Sequence, residues 1–331
     1  MSVETTEKST APVARRRSPA LTWLCWLLAA PGLLWALIRL PGLERGPLVQ
    51  LVAFTPYVAG WALAPLVLAV ALRRRWPAVT AGVVALTLIG AVAPRALPDS
   101  AATGGPPLRV ATANMLAGEG DAATVVGLVR THRVDVLALQ EFTPQTQAEL
   151  DRLGLAELLP HRQLNAEVGT TGSALYTRFP LTDTGIRRNA GGFTQAYGTL
   201  AVPGAPPVRV ESAHPMAPHA LSTLPDWWAD LRAQPAATPH GGLRILAGDF
   251  NSTLDHAVLR RLLGTGYVDA AAAVGQGLVG TWGPYDGDLI PPVTIDHVLV
   301  DRRIGVSGVS VHPLPGSDHR PVLAELTLPR S

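Results

Sequence analysis

Apolar residues crowd into the first hundred positions of the chain as three long runs, and beyond about position 108 they return only in short bursts separated by polar stretches. The first run, residues 21–40 (LTWLCWLLAAPGLLWALIRL), ends near Arg39, a side chain long enough to snorkel toward a lipid–water interface. The second, 48–72, is more than long enough to cross about 30 Å of hydrocarbon, and the third, 77–93, meets that length at its lower limit. Three such runs in series, with tryptophans near their edges, predict three transmembrane helices. A signal peptide is the competing reading of the first run, since Arg15, Arg16 and Arg17 precede it. Against it stand the length of the run, the lack of a small-residue cleavage site directly after it, and the two runs that follow.

Arginine placement sets the expected orientation. Arg15 to Arg17 precede the first run and Arg73 to Arg75 separate the second from the third, so both clusters fall on one side if all three runs span. The loop between the first two runs carries only Glu44 and Arg45 as charges. Positive charge stays cytoplasmic, which predicts a cytoplasmic tail over residues 1–20, spans within 21–93, and everything after them outside. Residues 94–107 (PRALPDSAATGGPP) read as a linker.

From residue 108 the texture is that of an α/β (α+β) domain reaching to 331. Strands are predicted at 108–113, 134–140, 172–177, 208–212, 243–247, 293–300 and 322–328, several of them apolar on both faces of the pleat and therefore covered on both sides. Helices are predicted at 121–132, at 254–263 after Ser252 as cap, and at 225–233 around Trp227 and Trp228. Many short strands with interspersed helices imply a four-layer sandwich, two packed mixed sheets with helices outside.

Charge then narrows the partners. The mean hydropathy of +0.23 and the formal charge of +2 both average unlike halves. From Pro107 onward there are 17 Arg and no Lys against 21 acids, a net of −4, so no broad basic face for a polyanion is encoded. The single Cys25 forms no intrachain disulfide and leaves the redox compartment open.

Strand after strand ends in a residue able to bind a metal or a phosphate: Asn114, Glu141, His214, Asp249 with Asn251, Asp296 with His297, and Asp318 with His319 before the last strand. Singly, each has an ordinary explanation as a turn residue, a helix N-terminal acid, an Asx-turn or a satisfied core histidine. As an ordered set at strand ends they describe a site.

Asn114, the pair Gln140 and Glu141, GDFN at 248–251, IDH at 295–297 and SDHRPV at 317–322 resemble, in order, the motifs of the endonuclease/exonuclease/phosphatase superfamily, the deoxyribonuclease I-like fold. The resemblance covers about residues 108–328. It implies a metal-dependent phosphoester hydrolase, phosphodiesterase- or nuclease-like, in which Glu141, Asn114 and Asp318 hold magnesium, with manganese as substitute. It further implies that Asp249 orients or deprotonates the attacking water and Asn251 holds the phosphoryl group. His319, oriented by Asp296, and His214 contact the scissile phosphate. His297, one position after Asp296, points to the opposite face of its strand and reads as structural. Arg178 in LYTRFP is implied to touch a phosphate, with a plain surface arginine as the alternative. His161, Gln163 and Asn165 read as a solvated loop.

The substrate class stays open between nucleic acid, phospholipid and small phosphoesters. The absence of lysine weakens nucleic acid, although Arg187 with Arg188 and Arg302 with Arg303 offer local clusters. Tethering beside a bilayer makes a lipid or inositol phosphate a rival, yet no exposed aromatic hairpin is evident. A catalytically silent domain that only binds a phosphate ligand is the third reading. No obligate protein partner is evident, and the lipid bilayer is the partner expected of the first hundred residues.

Overall fold

The computed structural model of the chain describes residues 18–99, 104–283 and 289–331, so Arg15 to Arg17 lie outside the described residues. The amino-terminal module consists of α1 (Pro19–Arg39), α2 (Leu48–Val52), α3 (Thr55–Trp61), α4 (Leu63–Ala71) and α5 (Arg75–Val92). Two stretches, Pro19–Arg39 and Arg75–Ala96, are long and apolar enough to cross a membrane, and Thr55–Ala71 is a shorter apolar helical stretch.

The second apolar run is therefore not one uninterrupted helix. Pro56 has no backbone N–H to continue a ladder from α2, and the Thr55 hydroxyl donates to the Val52 carbonyl at 2.6 Å while accepting from the Trp35 indole at 3.0 Å. The piece set apart by this break, α2, docks on the following domain. Val49 is fully buried in the core beneath α9 and α10, a placement worth about 1.5–3 kcal/mol for such a side chain.

Arg39 does not snorkel. Its Nε donates to Asp255 at 2.8 Å, and Arg95 donates to both oxygens of the same carboxylate at 2.6 and 2.7 Å, all three side chains being buried. At the other end, Arg74 donates to the Ser18 carbonyl at 3.0 Å. Thus α1 and α5 start together and finish together, running side by side in one direction while α3 and α4 return. The expected linker is likewise docked at its start, through a 3-10 turn at Ala93–Ala96 and a bridge from Pro98 to Val274.

The remaining chain runs β1 (Pro107–Asn114), α6 (Ala122–His132), β2 (Val136–Gln140), α7 (Pro144–Arg152), α8 (Leu155–Leu158), β3 (His161–Asn165), β4 (Ser173–Thr177), β5 (Leu181–Arg188), β6 (Thr194–Leu200) and β7 (Val208–Ala213). It continues through α9 (Leu224–Arg232), β8 (Leu243–Asp249), α10 (Ala257–Gly264), β9 (Tyr267–Asp269), α11 (Ala270–Ala273), β10 (Asp296–Asp301), β11 (Gly305–Val311) and β12 (Val322–Thr327). Helix α6 starts where the sequence predicts, with Asp121 accepting from the Thr124 amide. The cap predicted at Ser252 is instead followed by an irregular stretch, and α10 begins only after His256.

Two mixed six-stranded sheets result, ordered β11-β12-β1-β2-β4-β3 and β5-β6-β7-β8-β10-β9. Each has one parallel pair at its centre, β1 with β2 and β7 with β8. Alternate apolar side chains of both sheets, such as Val110, Val136, Val210 and Ile245, close the core between them. The outer faces are covered by α6, α7 and α8 on one side and by α9 and α10 on the other. Residues 161–165, expected as a loop, form edge strand β3, paired only with β4.

Candidate active site

The parallel pairs fix the location of the site. Asn114 aligns with Gln140, and Ala213 with Gly248, so β1, β2, β7 and β8 end at the same edge of the two sheets. Across that edge β10 starts with Asp296 directly opposite Asp249. Directly paired residues share a face, which puts two carboxylates side by side and destabilises the pair unless a cation separates them. His319, carried in the turn before β12, supplies it. Its Nδ1 lies 3.0 and 3.1 Å from the two Asp296 oxygens, and its Nε2 lies 3.7 Å from Asp249 Oδ2. Burial works against the imidazolium, but Asp296 and Asp249 outweigh it and hold the His319 pKa above the usual range. Burial likewise raises the Asp249 carboxyl, the His319 cation opposing and Asp296 adding to the rise.

Asn114, at the end of β1, donates from Nδ2 to Glu141 Oε1 and to Asp249 Oδ2, both at 3.1 Å, and accepts from the Leu116 amide. It turns its nitrogen to the carboxylates, so use of its oxygen as a ligand requires the amide to rotate. Glu141 takes the first position after β2 with φ of +55°, a left-handed backbone costly for this residue, and accepts from the Ala117 amide at 2.6 Å. Burial raises its carboxyl, against the bonds from Asn114 and Ala117 and the His319 charge. Its partner in the sequence motif, Gln140, points the other way. It accepts from Thr112 and donates to Ser212 on β7 at 2.9 Å, tying the two sheets together beneath the site.

Asn251 also adopts a left-handed backbone, φ +48°, which asparagine tolerates; its amide N–H donates to Asp249 Oδ1 at 2.7 Å and its side chain to the Pro215 carbonyl at 3.1 Å. His214 follows β7, buried, with Nε2 3.8 Å from Asp249 Oδ2 and Nδ1 without a partner. Burial and then the His319 charge push its pKa down to about 3, so it is a neutral imidazole. His297 faces away from the site, as its position after Asp296 dictates, and is fixed by Asp269 at 2.8 Å and the Ser252 carbonyl at 2.9 Å.

Asp318 accepts from the Trp282 indole at 2.8 Å through Oδ2, while its buried Oδ1 accepts no hydrogen bond and lies 3.8 Å from His319 Nε2. Trp282, and Thr281, whose hydroxyl accepts the Asp296 amide at 3.0 Å, were not singled out by sequence, because nothing in a lone Thr-Trp pair marks it. Arg178 is not brought to the site. It follows β4, whose Thr177 pairs with Val136 at the start of β2, whereas Glu141 lies past the other end of that strand. There it pairs with Asp135 at 3.0 Å.

Four carboxylates around one imidazolium leave an excess of negative charge, and the orphaned Asp318 oxygen has no donor. That donor set fits a hard divalent cation. Asp249, Asp296 and His319 also bring ligand atoms within 4.8 Å of one another. As a metal site this trio is the poorer choice, because both Asp296 oxygens are engaged by His319 Nδ1. The acids free to bind are Glu141 and Asp318.

The model of the Endonuclease/Exonuclease/phosphatase family matches residues 111–319, and the chain belongs to that family. Its name joins enzymes that all cleave phosphoester bonds. Among solved structures, the chain resembles an endonuclease/exonuclease/phosphatase from Beutenbergia cavernae at 18% identity and TM-score 0.55, over 67% of this chain and 72% of that one. It also resembles D. rerio TDP2 complexed with single strand DNA product, at 14% identity and TM-score 0.51, over 67% and 99% of the two chains. A family protein from Bacteroides thetaiotaomicron aligns at 16% identity and TM-score 0.50, over 68% and 99%. These likenesses establish the fold. Among curated proteins nothing matches.

Proposed function

We propose that this protein is a membrane-anchored, outward-facing hydrolase of phosphoester bonds that depends on a divalent cation, magnesium or manganese. The observation that carries the hydrolytic reading is the convergence of Asn114, Glu141, His214, Asp249, Asn251, Asp296, Asp318 and His319 at one sheet edge, with Asp249 and His319 facing each other across 3.7 Å. Glu141 and Asp318 hold the cation, with Asn114 beside them; when bound it neutralises charge developing on the phosphoryl oxygens. Asp249, its carboxyl raised toward neutrality, takes a proton from the attacking water, and Asn251 holds the phosphoryl group. His319, kept charged by Asp296, gives a proton to the leaving oxygen, and neutral His214 donates to the phosphate.

Anchoring rests on the apolar coat of the helical module, where Trp23, Leu27, Trp76 and Leu86 are all more than two-thirds exposed. In this reading α1, α3 with α4, and α5 cross the bilayer, and the end marked by Arg74 faces the cytoplasm. Full-length protein in detergent should hydrolyse bis(4-nitrophenyl) phosphate with magnesium and stop in EDTA. Glu141→Gln should need about tenfold more metal; unchanged metal dependence removes Glu141 from the cation. An alkaline phosphatase fused after Ser331 should be active, and an inactive fusion reverses the orientation.

A further inference from the structure

The cleft over the catalytic residues is about 580 Å³, far larger than one phosphate, and part of its wall comes from the helical module. Gln50, Ala53 and Phe54, at the break between α2 and α3, line the same cavity as Glu141, Asp249 and His319. Both flanks of this wall are fastened to loops at the mouth. Gln50 donates to the Pro218 carbonyl and Tyr57 to the Pro292 carbonyl, each at 2.7 Å. Away from the catalytic edge the lining is mostly apolar, from Phe54, Pro218, Ile290, Val293 and Ile295, with Ile290 49% exposed at the rim. None of the described lining residues is Lys or Arg. A polyanion would meet little countercharge here beyond the catalytic cation and the histidines of the lining.

The break lies at the domain end of the bundle, where α1 and α5 also finish on Asp255. On the anchoring proposed above, the cleft adjoins the level at which the helices leave the hydrocarbon. We infer that the substrate is a single phosphoester borne on a long hydrocarbon tail, taken from the plane of the bilayer with its tail against Phe54 and Ile290. This rests on the hydrolase reading and names its substrate class. In the reaction a water oxygen bonds to phosphorus and the phosphorus–oxygen bond to the leaving group breaks. One water proton ends on the leaving oxygen, and the hydroxyl stays on phosphorus.

The test uses the full-length protein and a series of 4-nitrophenyl alkyl phosphates of increasing chain length, with bis(4-nitrophenyl) phosphate as the tail-less reference. The expected result is a rise in kcat/KM of about twofold per added methylene, that of a partly buried chain. Phe54→Ser, and independently Ile290→Ser on the exposed rim, should lower the ratio of long-chain to tail-less kcat/KM at least tenfold. Vesicles of phosphatidylglycerol, and the same vesicles doped with a polyprenyl phosphate, then separate a glycerophospholipid from a polyprenyl source. A flat chain-length series, or cleavage of single-stranded DNA or inositol phosphates in preference to the long-chain ester, overturns the inference and leaves the hydrolase reading standing. If no ester is cleaved, the hydrolase reading fails and binding decides. Dodecylphosphonate should then quench Trp282 fluorescence at far lower concentration than methylphosphonate, and equal binding of the two overturns the inference.

Discussion

Two aspartates flank the turn after β8, Asp249 and Asp255, both almost wholly removed from solvent at 1% and 0% exposure. They differ in what surrounds them. Asp255 receives Arg39 and Arg95, and a third arginine, Arg260, donates to its backbone carbonyl. Asp249 faces another carboxylate, Asp296, and shares one imidazole with it. Cations in surplus hold a buried acid in a structural joint. A shortage of them leaves an acid with a raised pKa and the capacity to take a proton. Burial alone would not have told the joint from the reactive group; the local balance of charge does.

Substitutions can break this contrast. Asp249→Asn should lower kcat about 10³-fold, about 4 kcal/mol of barrier, with unchanged thermal unfolding; a drop in stability of similar size would make it a second structural acid. Asp255→Ala strands two buried arginines and should cost about 3 kcal/mol of stability, read as an early unfolding transition in detergent. An unaffected transition would mean that the helical module is held by apolar contact alone.

Asp296→Asn sharpens the picture of the shared imidazole, with turnover falling about 10²-fold. The raised His319 pKa means its cation persists at low pH and is lost as pH rises through that value. Without Asp296 that loss, and the alkaline limb of the pH–rate profile, moves to lower pH. Combined with His319→Ala the losses should not add, as for groups acting as one unit; additive losses would separate them.

The smallest effect is expected at Glu167, whose carboxyl is lowered to about 2, chiefly by Arg188. A lowered folded pKa adds stability above the unfolded value that is lost as pH falls toward 2. Because the pair is partly exposed, Glu167→Gln should cost less than about 1 kcal/mol, and less still at high salt. A larger loss would show that surface pairs here share the behaviour of the Asp255 joint.

Much of the candidate site's clustering was legible in the sequence because its residues directly follow strands buried on both faces, such as β2 and β8. Strands β3, β5, β6, β9 and β11 were missed. All but β6 lie at sheet edges, and β3, β5 and β11 are partly exposed and carry residues such as HRQLN and LTDTGIRR whose strand character comes from a partner's hydrogen bonds; β6, inside its sheet, reads TQAYGTL, with polar residues and a glycine among its apolar positions. The break at residues 53–54 was missed because the run around it is mostly apolar, although Pro56 was the available sign. The burial of Arg39 was out of reach, since its partner is 216 positions away. Arg178 was assigned to the phosphate from its motif alone, and strand register puts it past the wrong end of β4.

The joint at Asp255 also sets an order of assembly. Arg39 and Arg95 leave the ribosome long before their shared acid, which follows Arg95 by 160 positions. A nascent chain therefore forms its helices while the joint still lacks its acid, and the clasp closes only once β8 has been delivered and the second sheet has formed. Closing so wide a loop is slow compared with local folding. The same event seats α2 and completes the wall of the cleft, so a chain that stalls earlier has its helical module but no finished pocket.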